Sequence, residues 1–564
     1  MKKIIICSLI ACMLTGCENF LDTDNLTKKD NSNFPQTSQD AQAAITGAYA
    51  MLRATTDGLE SQCIFITSEL LSDDRFGGGG KDDRGAQAVD QLKKNADNMF
   101  ADPWHNNFAG IFRCNMLLES IENITEWEND AMRSQIIAEA HFLRAYFYFD
   151  LCKMYGTVPL LTTTKAVNNP RATADELFAL IASDLKEAIA NFPATKIQDI
   201  PVDQLGHATK WAAEGILARA YLFYTGYYKK ESMPLADGGT LSTQEVINYL
   251  DDCIANSGHN LIPDFRNLWP YSNKLSKEGY KYSKNNNLEW IGEEGANIET
   301  IFAIKFGAIA DWGITSDYSN SPNLFFSIRD QDTNGIYPFG LGWGYGTVNS
   351  NLWSDWESKE PKDIRREASI LNVENPNEGL KDYQYGGDKQ WQETGFWQKK
   401  YMAINGIGKD GTPVSYTTLM QGAPADYMLN NTQDLVMLRF ADILLMASEL
   451  KKDATDMNRV RSRVGLPAIA YSDEAIRNER HWELAFEGLR YYDLLRWHIA
   501  GEALSKQNGV SIKNNLIEDK MNVGDIAGRI EATGGFLQIP QAQIELSNGV
   551  LTQTPGWTGN DIIY

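Results

Sequence analysis

The chain has 564 residues, with 74 acidic and 52 basic side chains and a net charge of −22. An acid surplus of this size argues against nucleic acid or anionic lipid headgroups as the main partner, because both would be repelled. A 43% hydrophobic and 11% aromatic content allows a large core, and the length alone would accommodate three or four ordinary domains.

At the start, Lys2 and Lys3 precede a short apolar run, 4–14, which leads into Leu14-Thr15-Gly16-Cys17. This is the charge, length and small-residue layout of a secretory signal. The run is too short to span a bilayer of about 30 Å at about 1.5 Å per residue. Cys17 preceded by Leu-Thr-Gly resembles the bacterial lipoprotein box. That resemblance implies removal of residues 1–16 and lipidation of Cys17, with several acyl chains anchoring better than one. Loss of Lys2 and Lys3 leaves 50 basic against 74 acidic residues, a charge of −24. No later stretch reaches the ~18 apolar residues of a membrane helix.

Of the seven cysteines, Cys7 and Cys12 would leave with the signal and Cys17 would carry lipid. The remaining four, Cys63, Cys114, Cys152 and Cys253, form no C-x-x-C pair and no disulfide scaffold. Cys114 and Cys152 sit in apolar helical patterns, as small buried hydrophobes do.

Residues 17–40 are polar and read as a tether. Ala41, Ala44, Ile45, Ala48 and Leu52 predict a helix over 40–53. Residues 73–90, with Gly77 to Gly80 at the centre, read as a loop, and a helix follows over 104–121. The strongest helical pattern is 130–155, where Ile136, Leu143, Phe147 and Leu151 form one stripe and Phe142, Tyr146 and Phe149 widen it. A helix apolar around most of its circumference must be buried among others, and this one should stop at Gly156. Further helices are predicted over 175–192 and 207–228. The Arg-Ala-Tyr of 144–146 returns at 219–221, and its small-plus-aromatic texture returns over 439–447. Helix pairs of that texture suggest tetratricopeptide-like stacking.

Between 260 and 430 the helical periodicity fades. Eight of the fourteen tryptophans lie between 260 and 400, among glycines, asparagines and short strand-like pieces such as 300–306. A long irregular segment of this kind is more often functional than idle. Helices are expected again from about Leu435, and 473–499 reads as one charged helix with Glu483, Glu487 and Arg490 neighbouring on its surface.

Recognisable catalytic chemistry is sparse. There is no G-x-S-x-G elbow and no H-E-x-x-H helix, and the six histidines have no metal-ligand spacing. Gly406-x-Gly408-x-x-Gly411 is followed by no helical pattern and reads as a turn. The run Gly77 to Gly80 precedes Lys81-Asp82, not the Lys-Ser/Thr of a phosphate loop. Asp330, Asp332 and Asn334 open like a calcium loop, but Leu341 stands where a bidentate glutamate is needed, so a turn is the better reading. Carboxylate pairs suited to glycoside hydrolysis have 74 candidates, and nothing singles out one pair.

An ordered set of segments resembles the SusD/RagB family of Bacteroidetes outer-membrane nutrient-binding lipoproteins. The set comprises 17–22, 138–146 with 155–160, 212–222, 438–445, 458–466, 479–490 with 493–497, and 539–540 with 553–557. The resemblance implies a mainly α fold: a tetratricopeptide-like scaffold covered by long irregular loops with a few short strands. It divides the chain into a signal peptide (1–16), a lipidated tether (17–40) and one SusD-like body (41–564). In that body the scaffold occupies about 41–258 and 435–500, the ligand loops about 260–430, and a C-terminal segment 501–564. It further implies no catalysis, anchorage at the outer membrane facing the cell exterior, and delivery of a glycan to a SusC-like TonB-dependent transporter. The family's ligand loops vary, so no binding residue is carried over.

Sugars offer apolar C–H faces to aromatic rings and hydroxyl edges to Asn, Asp and Arg. The richest aromatic cluster lies between Trp312 and Trp356, interleaved with Asp311, Asp317, Asn320 and Asn323. Trp312, Tyr318, Trp343 and Tyr345 are the expected stacking platforms. Asp73, Arg75 and Phe76 are the expected contacts from a second loop. Peptide capture for the same kind of transporter, a tethered glycoside hydrolase and a purely structural scaffold are the competing readings.

Overall fold

The computed structural model describes residues 34–56, 63–293, 297–312 and 318–557. The expected signal, Cys17 and most of the tether lie outside them, as does Asp317.

Among the described residues, six helices of at least fourteen residues run through the first half of the chain: α1 Ser38–Ala54, α2 Ala101–Ser120, α3 Asp130–Tyr155, α4 Ala174–Asn191, α5 Lys210–Tyr227 and α6 Thr243–Asn256. Their starts are written in the sequence. Thr37 and Asn129 accept from the free backbone N–H groups of α1 and α3. Reciprocal capping boxes, Thr173 with Glu176 and Ser242 with Glu245, open α4 and α6. Gly156, at φ +75°, ends α3, and a Cβ there would meet the Phe536 ring at 2.7 Å.

Each helix packs on its neighbour in sequence, α1 on α2 through to α5 on α6. The array then continues through α7 Phe440–Lys451, which lies against α6, with α8 Thr455–Arg463 and α9 Asp473–Leu484 on α7. This is the expected mainly helical scaffold. α3 is buried around most of its surface, including Phe142, Leu143, Phe147 and Leu151. Among the described residues no helix is long and apolar enough to cross a membrane.

The Arg-Ala-Tyr echo has a structural meaning. Arg144 on α3 grips Asp184 on α4 through Nε and Nη2, each at 2.7 Å. Arg219 on α5 holds Asp442 on α7 through Nε at 2.7 Å. In both cases a nearly buried arginine ties one helix to a buried aspartate on another, where a charge without a partner would be costly.

Three readings of the sequence are corrected. First, the loop expected over 73–90 ends in a short helix, Arg84–Asp90. Second, the chain re-enters the scaffold at Leu435 as a strand. β1 Thr300–Ile304 pairs antiparallel with β2 Leu435–Arg439 before α7 begins. Third, the charged helix expected over 473–499 is two helices, α9 and α10 Arg490–Arg496, broken where Phe486 and Gly488 take positive φ.

Nor do Glu483 and Glu487 lie on a surface. They sit at 0% and 5% exposure in a buried network. Arg439 Nη1 reaches Glu299 and Glu483 at 2.7 Å each, and its Nε reaches Glu487 at 2.7 Å. Arg365 bridges Asp363, Glu479 and Glu483, Arg461 joins Glu479, Arg463 joins Glu299 and Glu483, and Lys400 joins Glu487. The five cations and five carboxylates named here balance in formal charge. Burial works against ionisation of Glu483, yet Arg463, Arg439 and Arg365 together hold its carboxyl well below the usual range.

Candidate ligand-binding face

The loop layer over 260–430 is knitted together by close backbone contact. Gly79 N donates to Gly344 O at 2.8 Å, and Gly346 N donates to Gly77 O at 3.0 Å. Gly78 sits at φ +67°, and a Cβ there would lie 2.5 Å from Gly344 O. The two runs therefore interlock because Gly78 and Gly79 carry no Cβ where the Gly344–Gly346 backbone and the Tyr345 ring pass.

That crossing separates the aromatic residues around it. Tyr345 turns inward to 1% exposure, its ring 5.1 Å from that of Phe325. Trp343 stays half-buried, with its ring edge-on to Phe325 at 4.9 Å. Arg329 lies beneath this edge. Its guanidinium donates to Trp343 O at 3.3 Å and Asp388 Oδ2 at 2.6 Å, and approaches Asp83 at 3.6 Å.

Two further aromatics stand out from the loop layer. Trp312 is 55% exposed, and its indole N–H donates to Asp426 Oδ2 at 2.8 Å. The next residue, Tyr427, is 38% exposed. Partial burial and the charges of Asp426, Asp330 and Asp388 push its phenol up, against the pull of Arg329. Trp312 held by Asp426, Tyr427 next to that aspartate in sequence, and Trp343 held by Arg329 with Asp388 make up the candidate face, and the charges of Asp426, Arg329 and Asp388 all act on Tyr427.

The expected site residues divide between this face and the interior. Trp312 and Trp343 belong to the face. Tyr318 is half-buried, and the Arg53 guanidinium lies 4.3 Å from its ring centroid, covering one side. Tyr345, Arg75 and Phe76 are corrected: they are core residues with no face for a ligand. Arg75 is fully buried, bonded to Glu69 at 2.6 Å and to Gly346 O at 2.9 Å, between the rings of Phe326 and Phe486. Phe76 is also fully buried. Asp73 is taken up by Arg490, which donates to its two oxygens at 2.7 and 2.8 Å. Burial opposes its ionisation, but Arg490 holds the carboxyl down to about 2.

Asp426, Tyr427, Arg329 and Asp388 were not singled out by sequence. Tyr427 follows Ala423-Pro424-Ala425-Asp426, a context without periodicity, and only the indole hydrogen bond reveals its neighbour.

Asp330, Asp332 and Asn334 are exposed, and Asp332 Oδ1 accepts from the backbone and side-chain nitrogens of Asn334 at 3.0 and 3.1 Å. That carboxylate is engaged in its own turn. Among the described residues, Asp73, Asp74 and His481 bring potential metal-ligand atoms within 4.8 Å of one another. His481 Nε2 already lies 2.5 Å from Asp74 Oδ1 and Arg490 occupies Asp73, while the buried Asp74 Oδ2 has no hydrogen-bond partner.

A helical array thus carries a knitted loop layer from which aromatic side chains project. Residues 315–557 match the family model described as "SusD family", and residues 20–222 match the model described as "Starch-binding associating with outer membrane". "SusD-like protein P25" of Formosa agariphila is 23% identical over 553 residues, covering 88% of this chain and 90% of the relative. A solved "Laminarin binding SusD-like protein" superposes with a TM-score of 0.70 at 26% identity, over 93% of this chain and 100% of that one. "Surface glycan-binding protein A from Bacteroides thetaiotaomicron in complex with laminarihexaose" gives a TM-score of 0.69 at 22% identity, over 92% and 100%. Two SusD-type family models thus match separate parts of the chain, which is similar to SusD-like proteins over nearly its whole length.

Proposed function

We propose that the protein captures a neutral glycan at the Trp312–Tyr427–Trp343 face, outside the bacterial outer membrane, and passes it to a SusC-like TonB-dependent transporter without catalysis. The observation that carries this reading is Trp312, a large ring more than half exposed yet fixed by Asp426. Exposing an indole has a cost in water, and a ring held in one orientation suits stacking on the C–H face of a sugar. Arg329, Asp388 and Asp426 supply polar groups suited to sugar hydroxyls. The net charge of −22 favours a neutral glycan over a polyanionic one. Support for the ligand class comes from the laminarin-binding relative at 26% identity. Support for the location comes from the family description and from the Cys17 lipoprotein-like sequence.

Affinity electrophoresis of the intact protein in gels containing laminarin, other neutral polysaccharides or casein peptides tests the reading. Retardation by a polysaccharide, abolished by Trp312→Ala, is expected, with no new reducing ends released. Retardation by peptides alone would replace the glycan with a peptide, and release of reducing ends would mark a hydrolase. Co-purification of a TonB-dependent transporter from native outer membranes tests the delivery step.

A further inference from the structure

A cleft of about 280 Å³ opens between the β1–β2 ribbon, the segment 204–209, Trp290 and the loop 415–434. Its volume is near the ~300 Å³ at which small-molecule sites begin. It shares none of the face residues named above.

One wall is aromatic. Trp290, half-buried, meets Tyr416 edge to face, with centroids 5.9 Å apart and planes at 81°. The rest of the lining is rich in amides, with Gln204, Asn323, Gln421, Asn430 and Gln433 among it. Gln421 is exposed, and its Oε1 accepts from Thr432 Oγ1 at 2.8 Å, which leaves its NH₂ group to donate. His207 faces Glu139 Oε1 through Nδ1 at 3.0 Å, which leaves Nε2 for a ligand.

The formal charges named on this lining are already matched. Lys305 pairs with Asp434 at 2.5 Å, both part-exposed, and His207 pairs with buried Glu139. A charged ligand would have to break one of these pairs, whereas a neutral one would not. Two buried polar atoms of lining residues, Asn323 Oδ1 and Trp269 Nε1, have no hydrogen-bond partner. One accepts and the other donates. An aromatic wall, amide donors, balanced charges and an unspent donor and acceptor match a polyhydroxylated neutral molecule of one or two rings.

We infer that this cleft is a second saccharide site, taking a neutral mono- or disaccharide unit independently of the exposed face. The inference rests on the glycan reading above. Its test is isothermal titration of the intact protein with laminaribiose, cellobiose and maltose, and separately with laminarin, for the wild type, Trp290→Ala, Gln421→Ala and Trp312→Ala. At least one disaccharide is expected to bind the wild type. Its affinity should fall at least tenfold in Trp290→Ala and severalfold in Gln421→Ala, an exposed position that leaves the fold intact, and should be unchanged in Trp312→Ala. Laminarin binding with no disaccharide binding would overturn the cleft and leave the face standing. Disaccharide binding that neither cleft variant weakens would also overturn it. Absence of binding to every saccharide would overturn the glycan reading and the cleft together.

Discussion

Trp312 stands out from the loop layer because Asp426, 114 residues further along, accepts its indole N–H at 2.8 Å. The hydrogen bond fixes a ring that water alone would leave free to rotate. Asp426→Ala should therefore weaken glycan binding at the proposed face by about 1 kcal/mol, roughly fivefold, the typical net value of one hydrogen bond. Thermal stability should hold within about 0.5 kcal/mol, as for most surface changes. Calorimetry with matched melting curves checks both; unchanged affinity would show that the indole needs no fixing.

Tyr345 and Trp312 should respond oppositely to truncation. Tyr345 is 1% exposed against Phe325 and Trp343. Tyr345→Ala should cost about 3–5 kcal/mol of stability, as large aromatic-to-alanine changes in cores do. Trp312→Ala should cost far less. Urea unfolding of the two variants decides it, and similar losses would contradict the separation of core from face.

Glu483 closes the buried network by meeting Arg365, Arg439 and Arg463. Glu483→Ala leaves those arginines short of an anion inside the protein and should cost about 3–5 kcal/mol. A loss below about 1 kcal/mol in urea melts would show that water reaches the network.

Acid should unfold the scaffold through its paired carboxylates. Burial alone would raise Asp442 and Glu449. Arg219 and Arg480 instead hold Asp442 down to about 2, and Arg496 holds Glu449 down to about 2, from ordinary values of 3.8 and 4.5. A carboxyl depressed in the fold contributes stability that is complete above its unfolded value and is lost as pH falls through the folded one. The melting temperature should thus fall steeply between about pH 4.5 and pH 2. Asp442→Asn should lower stability at neutral pH and flatten that limb; an equally steep limb in the variant would assign it elsewhere.

Glu214 predicts a slope of the other sign. Burial pushes its carboxyl up to about 9, and Lys210, 3.6 Å away, offsets this only in part. A carboxyl raised in the fold favours folding less as pH climbs from its unfolded value to its folded one. Glu214→Gln removes that slope, so its gain in melting temperature over the wild type should be larger at pH 8 than at pH 5. An equal gain at both would mean that Glu214 is ionised in the fold.

Local signals made the scaffold legible. Asp130–Tyr155 is the helix its stripe predicts, because capping by Asn129 and termination at Gly156 act within a few residues. The charged stretch from 473 misled because its meaning is non-local. The partners of Glu483 lie 44 and 118 residues away at Arg439 and Arg365, so carboxylates that looked solvated are buried. The aromatic segment was visible as a region but not residue by residue. Gly344, at φ +72°, lies between Trp343 and Tyr345, and only the interlock with Gly77 to Gly80 determines which ring turns inward. Tyr427 escaped notice because a lone tyrosine three residues after a proline has no pattern to read.

The most direct test of the proposed glycan capture at this face is isothermal titration of the intact protein with a panel of neutral oligosaccharides, comparing the wild type with Trp312→Ala and Tyr427→Ala. The account predicts saturable binding by the wild type and a loss of at least tenfold in each variant. Wild-type binding that survives unchanged in both variants would place the glycan elsewhere and contradict it.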